Sequence, residues 1–178
     1  MKEFTLRVTL MFICMLLIFS CSSTSPEKNF SIAVLNSNLL SGFAGNGLSR
    51  ELESPSVKLS QSGNETLPMK RTEVIENKLT AVEESYEKVK DLKVTDDTKD
   101  IISSSVNLYE YVLPVYKAEY MQLAELYDKG ASPEMIQSQS NLIHDKYHAR
   151  YKELYDKLIG FGKVYAAKHG IKVNWQDK

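Results

Sequence analysis

His144 and His148 lie four residues apart, the spacing that puts two imidazoles on one face of a helix as a zinc ion requires of paired ligands. The residues between them are Asp145, Lys146 and Tyr147, so the glutamate that follows the first histidine in a zinc protease helix is missing. Glu119 falls opposite His144 in the helix pairing derived below and would complete a two-histidine, one-carboxylate metal set; an ion-paired, solvated helix flank is the competing assignment. Gly42, Gly45 and Gly47 form a glycine-rich turn, but no strand precedes it and no Gly-Lys-Ser/Thr follows, which argues against a phosphate cradle. The acids Glu83 and Glu84 belong to a charged helix face, and no nucleophile stands with a positioned base. The chain is expected not to be an enzyme.

Tyrosine is the other abundant reactive type, with ten in the chain. Tyr109, Tyr116, Tyr120, Tyr127, Tyr147, Tyr151 and Tyr165 all fall on apolar stripes of helical spacing. They could line an aromatic groove for a peptide or glycan. They could equally fill a narrow core with their rings while the hydroxyls reach partners at its edge. Helical spacing favours the core.

The N-terminus carries a different chemistry. Lys2 and Arg7 precede an apolar run from Val8 to Phe19, which ends at Ser20-Cys21. At roughly twelve residues this run has the length of a signal h-region and is shorter than the ~20 needed to span a bilayer. Ile18, Ser20 and Cys21 fill the slots of a lipobox, and here the chain resembles the bacterial lipoproteins. The resemblance covers the leader alone. It implies that residues 1–20 are removed as a signal peptide and that Cys21 becomes an N-terminus bearing two or three fatty acyl chains of the palmitate kind, with no further cofactor. Two or more chains anchor stably at ~0.8 kcal/mol per buried methylene. Ser22 stands where the family's inner-membrane retention signal is aspartate, so the resemblance implies a cell envelope location at the outer membrane, facing the periplasm, in preference to the inner membrane.

Composition narrows the partners. Lys and Arg total 22 against 23 Asp and Glu, which leaves no electrostatic footprint for nucleic acid. Cys14 lies in the leader, so Cys21 is the single thiol of the mature chain. Disulfides and cysteine-ligated metals are excluded there.

The elements that must position these residues follow from periodicity. Residues 21–67 are rich in Ser, Asn, Gly and Thr and read as a lipidated flexible tether, except for an apolar segment at 30–43 that is too hydrophobic for a free linker and is expected to dock. Past Pro68, apolar residues recur every three or four positions: from Ile75 to Val89, from Ile102 to Tyr127, and from Ile136 to Tyr165. Thr95-Asp96-Asp97, Gly130, Ser132-Pro133-Glu134 and Gly170 punctuate them as caps. The stripes mirror one another, pairing Tyr116 with Tyr147, Tyr109 with Leu154, and Val82 with Tyr109. The expected fold class is all-α, an antiparallel three-helix bundle of the coiled-coil kind over 68–170, with a tail at 171–178. Pro114, inside the second helix, is expected to kink it.

The hairpin of the second and third helices outreaches the first, leaving Leu126, Tyr127, Met135 and Ile136 at its tip as candidate partner-binding residues. The expected function is therefore a lipid-anchored, non-enzymatic interaction or structural module, held to the membrane by its lipid and binding an envelope protein. With the tether starting at the tip end, the tip is expected close to the lipid surface. The alternative is a small-ligand or metal-binding envelope lipoprotein.

Overall fold

A computed structural model describes residues 24–54 and 56–175; the leader, with Cys21 and its lipobox, lies outside the described residues. The chain is mostly helical. In order it forms α1 (Pro26–Ala33), a 3-10 segment (Leu35–Leu40), α2 (Asn46–Glu53), a two-stranded antiparallel hairpin of β1 (Val57–Leu59) and β2 (Thr66–Pro68), then α3 (Arg71–Lys90), α4 (Lys99–Val115), a π-helical turn (Tyr116–Tyr120), α5 (Met121–Asp128) and α6 (Pro133–Lys168).

The helices from α3 onward bury the stripes that predicted them: Ile75, Val82 and Val89 on α3, Ile102, Tyr109 and Leu113 on α4, and Ile143, Tyr151, Leu154, Leu158 and Tyr165 on α6. Here α4 packs on α6 while α3 packs on both α4 and α5. Gly130 closes α5 at φ 66°, with the Ala131 N–H donating to the Leu126 carbonyl at 2.9 Å; Gly170 closes α6 in the same way, through Ile171 N–H and Ala166. Ser132 caps α6 ahead of Pro133. Tyr147 lies between Tyr111 and Glu119, hydrogen-bonded to both, which brackets its expected partner Tyr116. On the other side Tyr86 meets Tyr109 ring to ring at 6.0 Å, about one turn along α3 from Val82, the expected partner of Tyr109.

One expected cap is found and one expectation needs correction. Thr95 caps the turn into α4, its Oγ1 accepting from the Thr98 N–H at 3.2 Å while Thr98 Oγ1 accepts from the Thr95 N–H at 2.9 Å, and Asp97 reaches across to Lys168 and to His169 Nε2, the latter at 2.7 Å. Pro114 does more than kink its helix. It cannot donate to the Glu110 carbonyl, and the chain past it widens directly into the π-helical turn, in which Tyr116 and Tyr120 are both buried with rings 5.2 Å apart.

The larger correction concerns the tether. Residues 24–54 are folded, and Phe30, Ala33, Val34, Leu40, Phe43, Ala44, Leu48 and Leu52 are each about as buried as anything in the long helices. They cover a groove that the long helices leave open. α1 lies against α3, α4 and α6, while α2 lies against α5 near the hairpin tip. The segment thus runs the length of the fold, and its apolar residues supply the reason that it cannot float free. The C-terminal residues also dock, with Trp175 meeting Phe30 edge to face at 5.9 Å.

Candidate functional site

The tyrosines expected to form either a groove or a core do both, and the groove has an occupant from the same chain. Phe43 enters it and is surrounded by Tyr111, Tyr116, Tyr120 and Tyr151, with ring centroids 4.9 to 6.4 Å away. Tyr120 Oη accepts from the Ala44 N–H at 2.7 Å, and Tyr151 Oη donates to the Leu40 carbonyl at 2.8 Å. His148 Nδ1 donates to the Ala44 carbonyl at 3.1 Å. The loop makes this approach possible: Gly42 sits at φ 83°, and an added Cβ there would come 2.9 Å from the Gly47 backbone. Ala44, at φ 49°, is a non-glycine residue in the left-handed region, held there by its two backbone hydrogen bonds to Tyr120 and His148. Burial pushes the Tyr120 hydroxyl up to about 12, against the pull of its bond from Ala44, and raises Tyr116 and Tyr151 as well. All three are neutral at any ordinary pH, and Tyr120 and Tyr151 serve as hydrogen-bonding as well as packing groups.

The metal set does not assemble. His144 and His148 stack at 4.8 Å with ring planes 17° apart, so their in-plane nitrogen lone pairs run side by side and do not converge on one ion. Each Nδ1 is engaged, His144 with Asp145 at 3.1 Å and His148 with Ala44. Glu119 is occupied elsewhere, accepting from Tyr147 Oη at 2.8 Å, Lys146 Nζ at 3.2 Å and Gln139 Nε2 at 3.3 Å. The Tyr147 hydrogen bond and then Lys146 hold its carboxyl below the usual range, as a structural anion. Among the described residues no cluster of three His, Cys, Asp or Glu is placed to hold a metal ion.

At the hairpin tip, Leu126, Tyr127 and Ile136 are half-buried and Met135 is 56% exposed. Tyr127, Pro133 and Ile136 line a cavity of about 440 Å³ whose far wall is α2, through Ser49, Arg50 and Glu53. The cover that the long helices could not provide comes from α2, pinned by a 2.7 Å hydroxyl pair between Ser49 and Ser140 and by Arg71, whose Nε donates to the Leu52 carbonyl at 2.9 Å. Asp128 supplements the local cap of α3, in which Glu73 accepts from the Lys70 N–H at 2.9 Å, by accepting from the N–H groups of Arg71 (2.7 Å) and Thr72 (3.1 Å) and from the Thr72 hydroxyl (2.9 Å). Burial raises the Asp128 carboxyl, and those donors outweigh it, leaving the group below its ordinary value.

Sequence reasoning missed the β-hairpin, which leads into α3 and so sits at the same end as the tip. It exposes Val57 (62%), Leu59 (68%) and Leu67 (42%). The alternation of Val57 with Leu59 around Lys58, and the turn at Gly63 with φ 72°, were the available signals. No helix among the described residues is long and apolar enough to cross a membrane. No family model matches the chain, and comparison with curated proteins and with solved structures returns no match.

Proposed function

We propose that the protein is a lipid-anchored cell-envelope component, at the outer membrane in preference to the inner, that acts without catalysis by presenting an apolar end to another envelope protein. The finer architecture we infer is an antiparallel three-helix bundle of α3, α4 with α5, and α6, whose open side is closed by the N-terminal segment. What supports the reading is a group of exposed apolar residues at the tip end. Val57, Leu59, Leu67 and Met135 lie there, at the end that holds the cavity lined by Tyr127 and Ile136, while Val94, Leu142 and Val164 are exposed elsewhere. Such apolar groups, together with a cavity whose polar rim is Ser49, Glu53 and Gln137, are the composition of a protein contact surface.

The sequence reading puts the tip near the membrane, and the packing of the N-terminal segment argues for the opposite orientation. α1 lies at the end where α6 finishes, so an anchor on Cys21 belongs to the end opposite the tip. α6 has 36 residues, which at ~1.5 Å per residue puts the tip about 54 Å from that end. The test is photo-crosslinking in intact cells from a benzophenone amino acid at Met135. A discrete protein adduct is expected, and Tyr127→Ala should reduce it while leaving the melting temperature close to that of the parent. Absence of any adduct from Met135, with adducts forming instead from Lys146 on the mid-length flank, would overturn the tip assignment.

A further inference from the structure

Thr24 is the first described residue and already belongs to the fold: its carbonyl accepts from Asn29 Nδ2 at 3.3 Å, and Ser25 caps α1. Two residues, Ser22 and Ser23, separate Cys21 from Thr24, and the three extended steps between them reach only about 10 Å. If Cys21 carries the acyl chains, the start of α1 is held within that distance of the lipid. The question becomes which surface lies there.

Four pieces of the fold meet at this end. Phe30 of α1 stacks on Tyr165 of α6 at 6.4 Å and meets Trp175 at 5.9 Å, while Asp97, in the connection between α3 and α4, is bonded to Lys168 and His169. Within these pieces Val94 (64%) and Val164 (68%) are exposed, as are Lys28, Lys163 and Lys172, and the last two line one cleft with Trp175. Trp175 is half-buried, with Lys163 Nζ 5.7 Å from its ring centroid. An amphipathic indole beside lysines with long apolar stems is the chemistry that settles at the headgroup level of a bilayer.

We propose that this end seats on a phospholipid surface, with Trp175 at headgroup depth and Lys163 and Lys172 against lipid phosphates. The proposal rests on the lipid-anchor reading. Net charge does not drive it, since Glu27, Asp91 and Asp96 share this end with the lysines. The short connection does: it confines the surface to the interface, where weak contacts act at high effective concentration.

The chain holds one tryptophan, so emission excited selectively at the indole, apart from the tyrosines, reports this position alone. The acylated protein, purified from membranes, is reconstituted into vesicles of phosphatidylethanolamine and phosphatidylglycerol with and without brominated acyl chains. Trp175 emission is expected to shift to the blue, to lose intensity to the bromines and to lose accessibility to aqueous acrylamide. In a Trp175→Phe, Met135→Trp protein, the reporter at the tip should show none of these. Mass spectrometry of the Cys21 peptide separates the two ways of failing. An acylated peptide with Trp175 untouched by bromine overturns the seat and leaves the anchor standing. An unacylated peptide overturns the anchor and the seat with it. Quenching at Met135→Trp equal to that at Trp175 would mean that the body lies flat, which also overturns the proposal, and acrylamide protection without bromine quenching would assign this end to a protein.

Discussion

Tyr116 and Tyr151 flank the same phenylalanine, at 5.4 and 4.9 Å from Phe43, yet their hydroxyls meet different surroundings. Tyr151 Oη donates to the Leu40 carbonyl, while Tyr116 Oη is buried with no hydrogen-bond partner among the described residues. A buried donor that is paired contributes about 1 kcal/mol net, and one that is not carries a desolvation cost of about 1 to 3 kcal/mol. Tyr151→Phe should therefore destabilise by about that first amount, and Tyr116→Phe should be neutral or stabilising. Urea denaturation of the two variants checks this, and the reverse ordering would show that the hydroxyls are not what fastens the 40–44 loop. The stripe positions of these tyrosines were legible in the sequence as core. The partners of Tyr120 and Tyr151 were not, because the groups that these two bind are backbone atoms 76 and 111 residues away, and backbone carries no side-chain signature.

Helical spacing served well from Ile75 onward because each of those helices buries one continuous face, and periodicity reports a face. The N-terminal segment has no such face. Its eight-residue α1, a 3-10 segment, a loop with left-handed Gly42 and Ala44, and the eight-residue α2 pack on overlapping but different sets of neighbours, so no single face runs through it and its polar residues resemble a linker. Gly162 shows how closely it fits. A Cβ there would come 2.8 Å from Val34 Cγ1 and 3.6 Å from Phe30 Cε2, whereas two residues earlier Gly160 has nothing within 4 Å. Alanine is the better helix former by up to ~1 kcal/mol, so Gly160→Ala should stabilise by some part of that. Gly162→Ala should lose the gain, since Val34 is β-branched and has little rotamer freedom with which to move aside. It should also speed amide hydrogen exchange over residues 26–34. Equal stabilisation by the two alanines, with exchange over 26–34 unchanged, would mean that α1 does not bear on α6.

At the scale of the whole molecule, the consequence of folding the expected tether is a fixed height. A free linker of some forty-six residues would have let the body wander roughly 35 to 40 Å from its anchor in any orientation. With two residues between Cys21 and Thr24, the proposed anchor instead holds one end of a rod at the lipid and leaves the exposed apolar surface near Met135 and the β-hairpin about 54 Å out. Chain length then becomes a functional variable that can be altered without touching the core. Inserting a Gly/Ser linker of about twenty residues between Ser23 and Thr24 adds a root-mean-square span of ~22 to 27 Å and frees the orientation. The variant should keep the parent's melting temperature and membrane fractionation, because the buried set begins at Asn29 and Phe30, beyond the insertion. Its Met135 crosslink should fall, since a tip that samples all heights and tilts spends less time level with its partner. A long-linker variant that crosslinks from Met135 as efficiently as the parent would show that the partner follows the tip wherever it goes, and the rigid standoff would then have no part in recognition.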